Sequence, residues 1–227
     1  MEAIIFFVFL LLKLIIVHLF PERNIIMLRY FLMILPILAL ILMHHLKWTK
    51  RVSDEDNSRF WSREEKANKV RRQDISHLDY IYIPIETLPF GIDSSPEVQR
   101  AEATLRKLDS TQILNLSAYT NTDLKLKYGV SNLTTLSECD DRFTTLIRTL
   151  YQWACLLLDH GHTEAAIQVA EYSIDIGSDI SGIYYMLADY YRLVDNTEAM
   201  SRLQKSAASL TGLNATLIKD YINKSKV

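Results

Sequence analysis

The stretch LLLDHGHTEAAI, Leu156 to Ile167, gathers Asp159, His160, His162 and Glu164 within six residues. Imidazoles and carboxylates ligate divalent metals and carry protons, so a metal centre or an acid–base pair is the first chemistry such a cluster raises. A second stretch, RLVDNTEAM from Arg192 to Met200, keeps Thr197 and Glu198 at matching places, has Asp195 where the first has Gly161, and holds Asn196 and no histidine. A metal site gives no reason for a sister turn to share its Thr and Glu. The cluster therefore reads as a turn: Gly161 ends one helix, and Thr163 with Glu164 starts the next.

Other catalytic patterns are missing. There is no GxGxxG, Walker loop, GxSxG or HExxH, and six glycines leave little material for phosphate-cradling loops. Asp140–Asp141 reads as an acidic pair at a helix start, where the dipole favours it. Cys139 and Cys155 lie several turns apart in one helical pattern, so they do not bridge and read as two reduced thiols. The expectation is no enzyme, no cofactor, no metal and no catalytic residue. The sequons at Asn115, Asn132, Asn214 and Asn223 matter only for a lumenal body.

Charge is unevenly placed behind a net value of −2. Residues 1–46 carry five charges, residues 47–72 nine Lys/Arg against five Asp/Glu, and the remainder 13 Lys/Arg against 20 Asp/Glu. A mildly acidic body argues against a nucleic-acid ligand. Two apolar runs, 3–20 and 25–43, flank the polar turn Pro21 to Asn24 and each approaches the ~20 residues that span a bilayer. They predict a two-helix transmembrane hairpin over 1–46. The basic collar from Lys47 to Arg72 then places both termini in the cytoplasm of a two-span cell-membrane protein and sets basic residues against anionic lipid headgroups. Lys13 and Arg29 either snorkel or meet an embedded partner.

A juxtamembrane helix is expected over 47–77, opened by Ser53 and Asp56 as a capping box. An extended apolar connector follows over 78–96, where Ile81, Ile83 and Ile85 alternate with Tyr80, Tyr82 and Pro84 and prolines forbid a continuous helix. It either packs along the body or docks another protein. Residues 97–227 read as all-α. Ser95 with Pro96 opens one helix, and Asn121 and Gly129 bound another. Ser137 and Asp140 mark a third start. From it Phe143, Leu146, Ile147, Leu150, Trp153, Ala154, Leu157 and Leu158 recur on one face.

Thr163-Glu164-Ala165 recurs as Thr197-Glu198-Ala199, and Tyr151 and Ala154 recur as Tyr185 and Ala188, all at one common offset. A helix–turn–helix unit with that period, about 34 residues, resembles the tetratricopeptide (TPR) repeat. Trp153, Ala154, Leu157, Gly161, Ala166 and Ala170 match its pattern in one repeat (about 145–178), and Tyr184, Leu187, Ala188, Tyr191 and Ala207 in the next (179–212). Asp195 stands where the turn glycine is usual, Met200 where a small alanine is usual, and neither repeat ends in the family's proline. The whole chain is similar to membrane-anchored TPR-like proteins of bacteria that carry no known activity. The resemblance implies that the first helix of each unit lines a concave partner groove, with Arg148, Tyr151, Cys155, Asp159, Tyr185, Asp189 and Arg192 facing it. The connector filling that groove is the alternative occupant. The function expected is a membrane-anchored scaffold that binds a protein partner. The alternative is an accessory subunit of a membrane complex whose hairpin is the working part.

Overall fold

The computed structural model describes residues 25–211 and 214–223. The chain divides into two compact units, Met1–Arg63 and Glu64–Val227. Among the described residues all regular structure is helical, with eight α-helices and one 3₁₀ turn.

The first helix, α1, runs from Ile25 to Asn68 and ends inside the second unit. It corrects the expected transmembrane hairpin and the two-span membrane location with it. Among the described residues no helix is long and apolar enough to cross a membrane. The first expected span, 3–20, and the turn Pro21 to Asn24 lie outside the described residues. The second expected span is not a helix of its own but the start of a 44-residue helix that runs on through the charged collar. The apolar stretch between Arg29 and His44 falls short of the ~20 residues that span a hydrocarbon core. The cytoplasmic placement of both termini rested on that hairpin and goes with it. Ser53 does not open a helix, because α1 passes through it unbroken. Within the first unit Phe60 and Trp61 meet edge to face at 5.4 Å, and Arg59 pairs with Asp56 at 2.6 Å.

The second unit begins with the last turn of α1. Glu64 accepts from Lys125 and from the Thr122 hydroxyl (2.8 Å), and Ala67 is fully buried. The chain then leaves the helix and is fastened by Asn132, itself fully buried. The Asn132 amide donates to the carbonyls of Gln73 (2.7 Å) and Tyr128 (2.8 Å), and its oxygen accepts from Arg72 (3.1 Å). Gly129 is required beside it: a Cβ there would stand 2.5 Å from the Arg71 carbonyl oxygen, and its φ is 87°. A buried, fully bonded Asn132 is closed to glycosylation.

The connector packs along the helical body. Ile83 and Leu88 are buried, and Ile81, Ile85 and Phe90 pack against the main core, while Tyr82 on the alternate phase is 75% exposed. The Tyr172 hydroxyl donates to the Tyr82 carbonyl (2.9 Å), and the Gln168 amide to that of Thr87 (2.6 Å). Phe90 packs tilted against Trp153 at 4.8 Å and carries the Arg106 guanidinium over its ring at 4.7 Å.

Helix α2 (Pro96–Asp109) opens at Ser95 with proline in the first turn, as expected, although the Ser95 side chain makes no capping bond. In α3 (Asn121–Tyr128) the cap is Thr120, not Asn121, in a reciprocal box with Asp123. The 3₁₀ turn Val130–Asn132 leads into α4 (Leu133–Asp159), which starts before the expected Ser137. Asp140 is thus mid-helix, where it accepts the Leu116 N–H at 2.9 Å and ties down the preceding loop.

Helices α4 and α5 (Thr163–Asp175) form one pair, and α6 (Ser181–Leu193) and α7 (Thr197–Ala208) a second. Their turns are the same object. In the first, His160 N–H donates to Leu156 (3.0 Å), His162 to Leu157 (2.8 Å) and Ala166 to His162 (3.0 Å). In the second, Val194 donates to Tyr190 (3.0 Å), Asn196 to Tyr191 (2.9 Å) and Met200 to Asn196 (3.1 Å). Every donor and acceptor is displaced by the offset that separates Thr163 from Thr197 in the sequence. Gly161 (φ 84°) and Asp195 (φ 57°) hold the same left-handed place. Leu150, Trp153, Ala154 and Leu157 are buried, and so are Tyr184, Leu187, Ala188 and Tyr191 at the same offset. A short helix, α8 (Ala215–Asn223), packs on α6 and α7 and buries Ala215, Ile218 and Ile222.

Candidate interaction surfaces

The seven residues expected to line one groove are not brought together as an open surface. Tyr151 fills the seam between α4 and the start of α6, where a Cβ on Gly182 would stand 2.5 Å from its ring and hydroxyl. Cys155, one turn further along α4, is partly buried and free. In the second repeat Tyr185 stacks on Tyr221 of α8 with ring centroids 4.2 Å apart. The Tyr221 hydroxyl donates to the Asp189 carboxylate (2.8 Å), and Arg192 pairs with Asp189 at 3.0 Å. Arg192 also donates to the carbonyls of Tyr221 and Ile222, where the end of α8 presents unsatisfied oxygens and a negative dipole. Tyr185, Asp189 and Arg192 are therefore occupied by α8. Arg148 and Asp159 remain exposed, and neither makes an ion pair among the described residues.

The Asp-His-Gly-His turn has a partner that lies far away in sequence. His160 Nδ1 is 2.8 Å, and His162 Nε2 3.3 Å, from one carboxylate oxygen of Asp93 at the end of the connector. The other Asp93 oxygen accepts the Ser95 N–H at 2.6 Å. The Ser95 N–H first, then its hydroxyl and His160, hold the Asp93 carboxyl well below the usual carboxylate range. Two imidazoles thus clasp the connector to the turn of the first repeat. Among the described residues no group of three or more His, Cys, Asp or Glu is arranged to hold a metal. The DHGH stretch alone does not point to Asp93; its sequence signal is the Asp-Ser-Ser-Pro helix opening.

A second surface was not visible from residue spacing. An open cleft of about 650 Å³ is bordered by the connector, the loop before α3 and the ends of α3 and α5. Its rim carries Tyr82, Tyr119 and Lys127, its floor includes Leu114 and Ile176, and Asp79 and Asp175 line it as well. Lys127 Nζ lies 4.9 Å from the Tyr119 ring and 5.2 Å from the Tyr128 ring, and donates to the Tyr119 hydroxyl at 3.3 Å. Hydrogen bonding with Tyr128 and Tyr119 raises the Lys127 pKa, so the ammonium is kept charged. Burial, followed by Glu171, pushes the Asp175 carboxyl up.

The thiols are held in the protonated form. Cys139 and Cys155 are both free, and burial raises each above the ordinary thiol value, away from the thiolate. No protein-family model matches the chain, no curated protein is significantly similar to it, and no solved structure matches it.

Proposed function

We propose that the chain is a TPR-like helical scaffold that binds a protein partner and performs no catalysis. The support is internal: hydrogen bonds, left-handed turn positions and buried residues of one helix pair recur in the next at one constant offset. Repeating helix pairs present an extended surface made of many similar positions, which suits recognition of a macromolecule better than enclosure of a substrate. In the first repeat the outer face of α4 keeps Arg148, Gln152 and Asp159 exposed, whereas the second repeat is covered by α8. The partner surface is therefore assigned to α4.

The test is site-specific photocrosslinking in the full chain. A photoreactive residue at Arg148 or Gln152 is expected to capture a discrete partner that the same residue at Gln99, on α2, does not capture. Equal adducts from all three positions, or none from α4, would remove the reading.

A further inference from the structure

We propose that the cleft bounded by Tyr82, Tyr119 and Asp175 is a docking site for an extended peptide segment of the partner, one that carries a lysine or arginine beside an apolar residue. The inference rests on the protein-binding reading above and names a second site for it.

Charge is the first argument. The only Lys or Arg lining the cleft, Lys127, is already committed to the rings of Tyr119 and Tyr128. The carboxylates, Asp79 and Asp175, make no ion pair among the described residues. Asp175 is also the last residue of α5, a helix with no Lys or Arg, whose C-terminal dipole adds negative potential at the same wall. An incoming cation meets two carboxylates, which outnumber the one ammonium lining the cleft, and a helix end of the right sign. An incoming anion meets both as repulsion.

The second argument is the aromatic rim. Tyr82 is 75% exposed and Tyr119 42% exposed. Tyrosines are frequent anchors of protein interfaces, and their ring faces attract ammonium and guanidinium groups. Ile81, Leu114 and Ile176 supply apolar surface for the neighbouring side chain.

The third argument concerns backbone. The connector has no regular structure at Tyr82, and the Tyr82 N–H has no acceptor among the described residues, while Ile81 N–H is used by the Ile113 carbonyl at 2.9 Å. A main-chain carbonyl of the occupant can accept from that free donor, as backbone groups do in peptide recognition.

The experiment selects phage-displayed random dodecapeptides on the full chain and measures the enriched peptides against variants. Enriched sequences should carry Lys or Arg next to an aliphatic residue or proline. Their affinity should fall about tenfold or more on the Y82A/Y119A variant. It should also fall on D79N/D175N, with a loss that shrinks at high salt. All four positions are outside the main core, so circular dichroism matching the parent verifies the fold. Enriched peptides that are acidic, or that bind Y82A/Y119A as well as the parent, overturn the cleft site. If those peptides are instead lost on R148E, the scaffold reading stands and only the cleft falls. No enrichment over bare support counts against both.

Discussion

The left-handed turn residue between α4 and α5 gives the most closely determined prediction. Gly161 has φ 84°, and a Cβ built on it meets nothing within 4 Å. Steric clash therefore contributes nothing to a substitution there, and the cost is backbone strain alone. An L-residue in the left-handed region is disfavoured by ~1–2 kcal/mol, and the lower unfolded-state entropy of alanine offsets ~0.5–1 kcal/mol of this. Gly161→Ala should then lose about 1 kcal/mol on the same reasoning. Gly161→Asn should lose less, because asparagine visits this region more readily. The sister position already carries the test in reverse: Asp195 holds φ 57° without glycine. Asp195→Gly relieves that strain but gives up the Asp195 side-chain interaction and raises the unfolded-state entropy, so it should not exceed the parent in stability. Guanidinium unfolding of the full chain, followed by far-ultraviolet circular dichroism, measures all three. A midpoint change at constant slope reports stability alone. For a unit of this size ~1 kcal/mol corresponds to ~2–4 °C in Tm. If Gly161→Ala is neutral, or Gly161→Asn costs as much as alanine, the strain argument is refuted.

Four further outcomes follow from buried groups and charges. Asn132→Ala deletes three hydrogen bonds at a fully buried site and leaves two carbonyls and Arg72 without that partner; a loss of ~2–4 kcal/mol is expected by the same unfolding assay. Among the described residues the Trp153 indole N–H is buried without an acceptor. Trp153→Phe should therefore cost under ~1.5 kcal/mol against ~3–5 kcal/mol for Trp153→Ala, read as two midpoints. Asp93 has a depressed folded-state pKa, so its contribution is full above the ordinary carboxylate value and is lost as pH falls towards its own. Asp93→Asn should lower the unfolding midpoint at neutral pH and converge on the parent in strong acid; a gap that stays constant to low pH refutes the linkage. Iodoacetamide at mildly alkaline pH should modify both cysteines far more slowly in the native chain than in denaturant, with Cys155 ahead of the fully buried Cys139; mass spectrometry of timed quenches decides it.

Local chemistry carried much of the helical body into view. The glycine at 161, the Ser95–Pro96 opening and the apolar face of α4 all act through a few neighbouring residues, and each appears where the sequence places it, save that Leu158, counted on that face, is exposed. The errors fall where a distant contact decides. Ser137 and Asp140 look like a cap, yet the Asp140 carboxylate is engaged by the N–H of Leu116 in the preceding loop, so the helix starts earlier. Ser53 and Asp56 have the same cap spacing, but a helix already under way does not need a new start, and α1 runs through them. The apolar run at 25–43 reads as a span if counted by itself. Its interruption by Arg29 and its fusion to a charged helix leave no described helix that meets the length and hydropathy of a crossing.

The partner-facing residues show a different limit. A repeat register states which side of a helix a residue occupies, but not what stands opposite. Tyr151 and Tyr185 share a register position, and both are partly buried in seams, one by α6 and the other by α8. Had α8 been absent, Tyr185, Asp189 and Arg192 would have lost Tyr221 and Ile222 as partners and been open to another molecule. Those contacts show that this face accepts an amphipathic helix, with a tyrosine ring on Tyr185, a hydroxyl on Asp189 and C-terminal carbonyls on Arg192. Tyr221→Ala therefore separates two roles that the register merges. If α8 is only a cap, the variant loses stability and gains no binding. If α8 also occludes the face, the folded fraction should bind an amphipathic helical probe, a synthetic peptide of residues 211–227, more tightly than the parent does. Isothermal titration of the variant with that peptide decides between them, and equal affinity for parent and variant removes the occlusion role.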